Sequence, residues 1–477
     1  MLFNLLTGCE QWFDRPAVRQ IGDLRDCVSY GELAARASLL AARLAEFRGQ
    51  PVGLLASPGD ALIAAAAALD GLGCRTYLLP AATDVATAER LADSFGMKAI
   101  LHDSADSGRD ERWRALPAYT DRPATLGSEI TAARFEAATE SSVVLFTSGT
   151  SGEPKATLHT WAGLAGGIRR HDGLLGSRML LTYDLSRYAG LQVLLTALVN
   201  GSQVCIAASR AMADIVQAAV SHAVELVSGT PTFWRMFLAN SREEQRRQMP
   251  LRQITLGGEP VGQPILDALR LAWPETRVTH IYASTEMGVC FSVHDGREGF
   301  PVELLNSSPS AGDAAVEMKV DAGRLWIRSK RAMAGYVSAA QDRRAGAVAG
   351  EADETGWFDT GDEVEIRAGR VYFLGRQSSR INVGGEKVYP EEIEAALREV
   401  AGVAEVRVSG MASSIAGQIV QAEIVPAPGV DRDELRRRVG EFARQRLAGY
   451  KQPRIVRFVE SLAAGDTMKI GRRADTP

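Results

Sequence analysis

The stretch Val143-Val-Leu-Phe-Thr-Ser-Gly-Thr-Ser-Gly-Glu-Pro-Lys155 carries the strongest fold signal, because an apolar run passes directly into a loop of glycines and hydroxyl side chains. The run 143–147 predicts a buried strand. In the loop, glycines permit close approach of a ligand to the backbone, amides and hydroxyls can donate to anionic oxygens, and Lys155 supplies a point charge. The spacing differs from a Walker A loop, since Pro154 precedes the lysine and Ala156 follows it. The stretch therefore predicts a phosphate-binding loop, with a flexible Ser/Gly loop as the alternative.

Around this loop, amphipathic helices alternate with short apolar strands, which is the rhythm of βαβ units and parallel sheets. The predicted elements are helix 31–46, strand 51–56, helix 59–71, strand 75–79, helix 84–95, strand 99–102, strand 143–147, strand 179–182, helix 190–199, strand 203–207, helix 211–222, strand 224–228, strand 253–256, helix 262–272 and strand 278–282.

The pattern changes after about residue 310, where β-hairpins and then a compact α+β unit are predicted. The predicted elements there are strands 316–320, 324–328, 363–367 and 370–374, helix 391–400, strands 403–409 and 418–425, helix 432–447 and strand 454–459. The fold class is therefore α/β. We expect a large N-terminal domain of two βαβ-type subdomains plus a β-rich subdomain, followed by a small C-terminal α+β domain.

The composition excludes several classes of protein. Of the 477 residues, 46 % are hydrophobic and 23 % charged, as in ordinary globular proteins, and the formal net charge of −4 favours neither nucleic acid nor an anionic membrane. The longest apolar stretch, 61–69, is too short to span a bilayer. Five cysteines without a CxxC pair argue against disulfides and zinc, and the six histidines lack metal-ligand spacing. We expect a cytoplasmic protein.

The Thr147–Lys155 string resembles the phosphate loop of the adenylate-forming (ANL) superfamily, which contains acyl- and aryl-CoA synthetases, nonribosomal-peptide adenylation domains and luciferases. Further motifs follow in that family's order over nearly the whole chain. They are Gly257-Gly-Glu-Pro260, Tyr282-Ala-Ser-Thr-Glu286, Gly356-Trp-Phe-Asp-Thr-Gly-Asp362, Gly375-Arg376, Gly384-Gly385, Pro390-Glu-Glu-Ile-Glu394 and Met468-Lys469-Ile470.

The resemblance implies an ATP site. Asp362 would accept both ribose hydroxyls with help from Arg376, although an Asp in such a turn is equally typical of an Asx turn. Tyr282 would lie on the adenine face, with a plain core tyrosine as the alternative. The implied ATP- or AMP-binding residues are Thr147, Ser148, Gly149, Thr150, Ser151, Gly152, Lys155, Gly257, Gly258, Glu259, Pro260, Tyr282, Ala283, Ser284, Asp362 and Arg376.

For catalysis, the resemblance implies that Glu286 binds Mg²⁺ and that Thr285 contacts the α-phosphate. A carboxylate oxygen suits Mg²⁺ held jointly with phosphates; a surface carboxylate at a strand end is the alternative. Lys469 would stabilise the in-line attack of the substrate carboxylate on the α-phosphorus, because a compact ammonium can bridge both partners. The family usually has Gly where Met468 stands here, and a tail lysine is the alternative for Lys469.

In this family the small C-terminal domain changes position between the two half-reactions, which requires a hinge. By position the hinge is Ser378, where the family usually has Asp or Lys. The resemblance thus implies an AMP-binding domain at 1–377 and a mobile domain at 378–477 that carries Lys469.

The substrate pocket is expected at Tyr183, Asp184 and Gly190. Tyr183-Asp184-Leu-Ser186 resembles the Phe-Asp-x-Ser of peptide-synthetase adenylation domains, whose Asp binds a substrate amine. Asp184 therefore indicates an amine-bearing acid, while an N-cap at Asp184 or Ser186 is an equally good interpretation.

The implied function is ATP-dependent activation of a small carboxylic acid to an acyl-adenylate, followed by transfer to a thiol. The acceptor, CoA or a carrier-protein phosphopantetheine, is expected in trans, since eight residues follow Lys469. The thiol would pass Gly384, Gly385 and Lys387, where a surface lysine is the alternative. An inactive nucleotide-binding homologue and an adenylate-dependent oxygenase are the other classes considered.

Overall fold

The computed structural model describes residues 1–8, 10–20, 27–103, 111–117, 141–147, 155–305, 316–337, 352–353, 355–413 and 417–462. The chain forms two compact units. The first consists of Met1–Gly258, Asp267–Asp295 and Ser329–Glu351, and the second of Glu259–Leu266, Gly296–Arg328 and Ala352–Pro477. The predicted domain boundary at residue 378 stays a prediction.

The described residues of the first unit form two sheets. The strands of the seven-stranded sheet, in spatial order, are Gly335–Val337, Lys155–Thr160, Ser142–Thr147, Arg75–Leu78, Pro51–Leu55, Ala99–His102 and Trp113–Ala115. Those of the eight-stranded sheet are Gly288–Val293, Arg277–Ser284, Gln253–Leu256, Leu226–Gly229, Arg178–Leu180, Gln203–Ile206, Pro16–Gln20 and Cys27–Ser29.

The central strands of both sheets are parallel, as the alternating pattern predicts. The strand Ser142–Thr147 is apolar along its length because its two faces pack into two different hydrophobic clusters. Val143 and Leu145 pack in one cluster, and Val144 and Phe146 in another. The first cluster also contains the apolar residues of the Ala-rich helix Asp60–Gly71. A strand buried on both faces needs no polar alternation.

The second unit contains two five-stranded sheets. One has the order Phe300–Pro301, Arg370–Arg376, Phe358–Arg367, Arg324–Ser329 and Val316–Asp321. The other has the order Glu386–Val388, Ile381–Val383, Gly417–Pro426 and Val403–Ser413, with Ile455–Phe458 pairing to Gly417–Pro426. Two helices, Pro390–Leu397 and Arg432–Arg446, share a hydrophobic cluster with this last sheet.

The α-helices within the described residues are Leu2–Thr7, Tyr30–Arg43, Asp60–Gly71, Val85–Phe95, Trp161–Ala165, Tyr188–Asn200, Met212–Ser221, Pro231–Asn240, Glu243–Arg247, Gln263–Ala272, Pro390–Leu397 and Arg432–Arg446. Short 3₁₀ segments occur at Glu10–Trp12, Ala45–Phe47, Asp172–Leu174, Val302–Leu304 and Gln377–Ser379. Within that part of the chain, no helix has the length and apolar character needed to cross a bilayer.

The α/β class and most of the predicted elements are confirmed, and the exceptions have physical reasons. The predicted helix 31–46 ends at Arg43 and continues as the 3₁₀ segment Ala45–Phe47. The strand Lys155–Thr160 is not predicted, because its residues, KATLHT, are largely polar. The helix Pro231–Asn240 is missed although its Thr230 cap and N-terminal proline are recognisable start signals.

Candidate active site

The predicted phosphate loop connects two antiparallel strands of the seven-stranded sheet. Thr147 is the last residue of the first strand and Lys155 the first residue of the second, and the two pair in register. The Thr147 Oγ1 donates a hydrogen bond to the Lys155 carbonyl at 3.4 Å. Thr147 also ends a strand that is parallel to its other neighbour, so the loop leaves the carboxyl edge of the parallel strands, where α/β sheets bind ligands. The loop residues predicted to bind phosphate, Ser148, Gly149, Thr150, Ser151 and Gly152, lie outside the described residues.

Lys155 is held by an aromatic ring on the neighbouring strand. Its ammonium lies 5.1 Å from the centroid of Tyr336, which pairs in register with Thr157. A cation–π contact of this kind stabilises an ammonium and limits where it can move. The ammonium of Lys155 therefore lies over the Tyr336 ring at the end of the predicted loop.

Gly257 and Gly258 follow the strand Gln253–Leu256 directly. A Cβ at Gly257 would lie 2.8 Å from the Cγ1 of Ile281, and Gly258 has a φ of +82°. Both positions therefore require glycine for reasons of the fold. Glu259 and Pro260 belong to the second unit.

Tyr282 stands near the end of the strand Arg277–Ser284. Its ring stacks on Phe291, with centroids 5.5 Å apart and planes 10° from parallel. Tyr282 is half-buried, so it is no fully enclosed core tyrosine. Ala283 and Ser284 follow a β-bulge, and the Ser284 Oγ accepts a hydrogen bond from the Met287 amide at 3.0 Å.

Thr285 and Glu286 lie in the turn after this strand, and both are half-buried. The Glu286 carbonyl accepts a hydrogen bond from the Met333 amide at 2.7 Å, which fixes the turn. Among the described residues, no group donates a hydrogen bond to the Glu286 carboxylate or pairs with it. No cluster of three metal-ligating side chains occurs in the described ranges either. One unengaged carboxylate fits a Mg²⁺ ion whose other ligands are phosphate oxygens and water.

Asp362 and Arg376 face each other across the hairpin of Phe358–Arg367 and Arg370–Arg376. The Arg376 Nε donates a hydrogen bond to Asp362 Oδ1 at 3.0 Å. The Asp362 residue is 8 % exposed, whereas 59 % of the Arg376 side chain is exposed. The Asx turn of this segment is made by Asp359, whose Oδ1 accepts a hydrogen bond from the Gly361 amide at 3.0 Å.

The predicted hinge, Ser378, is exposed and lies in the 3₁₀ segment Gln377–Ser379. Within the second unit, hydrogen bonds join a residue that precedes Ser378 to residues that follow it. Glu363 accepts hydrogen bonds from the Arg380 guanidinium, at 3.2 Å, and from the Tyr389 hydroxyl. The role of Ser378 stays a prediction, and Lys469 lies outside the described residues.

Gly384 and Gly385 form the two-residue turn between the strands Ile381–Val383 and Glu386–Val388. Their φ angles of +60° and +92° explain why both are glycine, since a tight hairpin turn of this type needs positive φ. Lys387 is exposed on the second strand. The structure thus accounts for the glycine pair by the turn itself, and a role toward a thiol stays a prediction.

The predicted acid pocket is a tight turn before the helix Tyr188–Asn200. The buried Asp184 accepts a hydrogen bond at Oδ1 from the Ser186 amide at 2.8 Å, and Tyr183 is buried beside it. The N-cap of the helix is Arg187, so the N-cap interpretation of Asp184 and Ser186 is wrong. The Asp184 side chain instead stabilises the turn that precedes the helix, by accepting the hydrogen bond from the Ser186 amide.

Gly190 has a packing role in this region. A Cβ at Gly190 would overlap the Asp184 carbonyl oxygen and lie 3.2 Å from the Leu185 Cα. The first turn of the helix can therefore approach the preceding turn only because residue 190 lacks a side chain. Gly190 shapes the wall of the predicted pocket through the backbone.

Three polar residues nearby are missing from the prediction: His159, Tyr188 and Arg331. The His159 and Tyr188 ring centroids lie 6.2 Å apart. Burial lowers the pKa of His159 to about 4, and burial, as the main cause, raises the pKa of Tyr188 to about 12. Both side chains are therefore neutral near pH 7. The segment around His159, KATLHT, is largely polar, so no local pattern indicated that this histidine is buried.

The model of the AMP-binding enzyme family matches residues 6–337. This chain belongs to the AMP-binding enzyme family. The model of the AMP-binding enzyme C-terminal domain matches residues 392–467, and the predicted superfamily is thereby confirmed.

Relatives of this AMP-binding enzyme include the 2-succinylbenzoate–CoA ligase of Bacillus velezensis, which is 27 % identical over 93 % of this chain and 92 % of the relative. A solved o-succinylbenzoate CoA synthetase from Bacillus subtilis, in complex with its acyl-adenylate, has a TM-score of 0.73 at 22 % identity and covers 99 % of this chain and 96 % of its own. The anthranilate CoA ligase AuaEII, solved with anthranoyl-AMP, has a TM-score of 0.77 at 19 % identity and covers 98 % and 95 %.

These structural similarities confirm the predicted fold class, with a large N-terminal and a C-terminal domain. The mobility of the C-terminal domain, the cytoplasmic location and the individual roles of the site residues stay predictions.

Proposed function

We propose that this AMP-binding enzyme activates an aryl carboxylic acid with ATP, releases pyrophosphate, and transfers the acyl group from the acyl-adenylate to CoA. The observation that carries the proposal is the match to named CoA ligases along 93 % of the chain. The predicted reaction class, an AMP-forming acid–thiol ligase, is the class of those relatives. ATP, Mg²⁺ and CoA are the cosubstrates and cofactor of that class.

The phosphate groups of ATP would lie at the loop that Thr147 and Lys155 close. Because the Lys155 ammonium rests on the Tyr336 ring, it meets a phosphate without a large loss of side-chain freedom. The Thr285 hydroxyl, at the end of the neighbouring sheet, would donate to the α-phosphate. These groups bind and orient the triphosphate for attack at one phosphorus atom.

Glu286 would hold Mg²⁺ with its unengaged carboxylate. When bound, the metal neutralises phosphate charge that would otherwise repel the incoming carboxylate. The chain itself contributes the turn around Glu286, whose carbonyl accepts a hydrogen bond from the Met333 amide. A carboxylate on a fixed turn does not need to reorganise during the reaction.

The ribose would bind to Asp362. Its carboxylate is buried and is oriented by a hydrogen bond from the Arg376 Nε at 3.0 Å. Lys469 would approach the α-phosphate during adenylate formation. The adenine would lie beside Tyr282 and the Gly257–Pro260 segment.

CoA is the acceptor that the relatives' names support, and a carrier-protein phosphopantetheine is the alternative acceptor. The exposed Lys387 would meet the phosphate groups of either one. The hairpin turn at Gly384 and Gly385 offers backbone without side chains to the passing thiol arm.

The experiment measures pyrophosphate release from ATP with fatty, aryl, aminoaryl and amino acids, and then AMP and thioester formation with CoA or a phosphopantetheinylated carrier protein. We expect aryl acids to give pyrophosphate and CoA to give the thioester. Absence of pyrophosphate with every acid would show an inactive nucleotide-binding homologue. Oxygen uptake or light after adenylate formation would show an oxygenase instead.

The Asp184→Ala variant in the same assay tests the predicted amine pocket. If Asp184 binds a substrate amine, the variant loses any preference for aminoaryl over aryl acids. An unchanged preference would remove Asp184 from substrate recognition and leave it as the cap of its own turn.

A further inference from the structure

Residues 329–337 form a segment of the first unit that contacts both Lys155 and the turn of Glu286. Ser329 begins this bridging segment, and the strand Gly335–Val337 ends it. The two groups that it contacts are the ones assigned to the phosphates and to Mg²⁺. The bridging segment itself carries no residue that the sequence motifs predict to bind a ligand.

Two hydrogen bonds attach the first part of the bridging segment to the Glu286 turn. The Ser329 Oγ donates to the Met287 carbonyl at 2.9 Å, and the Met333 amide donates to the Glu286 carbonyl at 2.7 Å. The Ser329 Oγ also accepts a hydrogen bond from the Arg331 amide at 3.1 Å, so the same hydroxyl shapes the segment and holds the turn. These bonds restrict the backbone from which the Glu286 carboxylate extends.

The middle of the bridging segment packs closely against two glycines. A Cβ at Gly288 would lie 3.5 Å from both the Cβ and the carbonyl oxygen of Arg331. A Cβ at Gly167 would lie 3.1 Å from a guanidinium nitrogen of the same arginine. Arg331 is therefore packed both at its backbone and at the end of its side chain, which leaves the middle of the segment little room to shift.

The last part of the bridging segment lies beside the strand that begins with Lys155. The strand Gly335–Val337 pairs antiparallel with the strand Lys155–Thr160. This pairing places the Tyr336 ring beneath the Lys155 ammonium, with 5.1 Å between the nitrogen and the ring centroid. The same segment thus contacts the lysine at one end and the carboxylate turn at the other.

We propose that Ser329 and Tyr336 are positioning residues, which act through the bridging segment to fix the Glu286 carboxylate and the Lys155 ammonium relative to each other. A triphosphate with its Mg²⁺ then meets both groups at once. The proposal rests on the proposed function, in which both groups face the triphosphate. Because the two groups must contact one ligand, a fixed separation reduces the freedom that binding has to remove.

The test is equilibrium binding of ATP, measured by isothermal titration calorimetry in Mg²⁺ or in EDTA, with the acid left out so that no reaction occurs. Ser329→Ala removes the hydroxyl that holds the Glu286 turn. We expect it to weaken binding of MgATP about 3- to 10-fold and binding of metal-free ATP less than about 2-fold. Tyr336→Leu removes the ring beneath Lys155 and should weaken binding about 3- to 10-fold under both conditions.

The double variant distinguishes one bridging segment from two independent contacts. Once either end is released, the fixed separation of the two charged groups is already lost. The double variant should therefore bind MgATP no more than about 2-fold more weakly than the poorer single variant. Independent contacts give the product of the two single effects instead, and that result overturns the proposal.

Two conservative substitutions and one remote substitution are the controls. Ser329→Thr keeps the hydroxyl and Tyr336→Phe keeps the ring, so both should stay within about 2-fold of the parent affinity. Ser38→Ala removes a hydroxyl of the same unit that also donates to a backbone carbonyl, at 2.9 Å, and should change neither affinity. If Ser329→Thr is as weak as Ser329→Ala, or if Ser329→Ala weakens metal-free ATP equally, the role assigned to Ser329 is wrong.

Pyrophosphate release with the aryl acids separates this proposal from the ligase function. The expected pattern of affinities without pyrophosphate release from any acid supports the bridging segment and contradicts the ligase function. Pyrophosphate release, together with variant affinities for MgATP equal to that of the parent, supports the ligase function and contradicts the bridging segment. If the parent binds ATP under neither condition, both are wrong.

Discussion

The Asp362 carboxylate accepts a hydrogen bond from the Arg376 Nε at 3.0 Å, and 59 % of the Arg376 side chain is exposed. The acid of this ion pair is thus buried, whereas the base is mostly exposed. Exposed ion pairs contribute about 0–1 kcal/mol to stability. The pairing therefore orients the carboxylate more than it stabilises the fold.

We predict that Asp362→Asn raises the KM for ATP by about 10- to 100-fold, because an amide can accept at only one atom where the ribose offers two donors. The KM for the acid should change little. Arg376→Gln should have a smaller effect, and both variants should keep an unfolding midpoint close to that of the parent. A large fall in thermal stability with unchanged KM for ATP would give Asp362 a structural role.

Lys469→Ala should reduce adenylate formation by at least about 1,000-fold, since a transition-state charge contact is lost. Transfer to CoA from a supplied acyl-adenylate should remain within about 3-fold of the parent value, because that step does not break the α-phosphorus bond to pyrophosphate. Rapid-quench measurement of each half-reaction separates the two. Lys98→Ala, at an exposed helix-to-strand connection, is the matched lysine control. Equal loss in both half-reactions would remove Lys469 from its assigned role.

Gly190→Ala should destabilise the protein by about 1–3 kcal/mol, because the new methyl group overlaps the Asp184 carbonyl oxygen and forces the backbone to move. Gly449→Ala is the control, since nothing lies within 4 Å of a Cβ there. Urea unfolding of both variants measures the difference. A neutral Gly190→Ala substitution would show that the helix start is free to shift.

The buried His159 should make the protein sensitive to acid. Its pKa is near 6.5 when the ring is exposed in the unfolded chain and about 4 in the folded protein. Between these values the unfolded chain binds a proton that the folded chain does not, so stability falls as the pH is lowered from 6.5 toward 4. The contribution of this group is about 3 kcal/mol.

Urea midpoints between pH 4 and 7 measure this effect. The slope should be smaller in His159→Gln than in the parent, and His171→Gln, whose ring is exposed, should keep the parental slope. Identical slopes for the parent and His159→Gln would show that the imidazole becomes protonated without unfolding.

The elements that could be predicted from the sequence are those whose pattern repeats. The strand Ser142–Thr147 was recognisable from its continuous apolar run, and the helix Val85–Phe95 from the helical period of its apolar residues. The strand Lys155–Thr160 was not, since it alternates weakly and acquires its burial from the strands on both sides. Pairing with neighbouring strands in the folded protein decides whether such a segment becomes a strand.

The site shows the same division. Motifs that lie close together in sequence, such as Tyr282 to Glu286, could be recognised as units. The contact between His159 and Tyr188 could not, because it joins a strand to the start of a separate helix, and no local pattern records that distance. The role of Asp184 was open for a related reason, since only the structure shows that the helix starts at Tyr188, two residues before the predicted start, with Arg187 as its N-cap.

The pairing of Thr147 with Lys155 makes the predicted phosphate loop replaceable. Thr147 and Lys155 are the two partners of one pair in the antiparallel ladder, so loops of different sequence can be grafted between them while the sheet keeps its register. Loop chimeras built at these two residues separate changes in nucleotide handling from changes in folding, which makes this junction a natural place for engineering nucleotide preference.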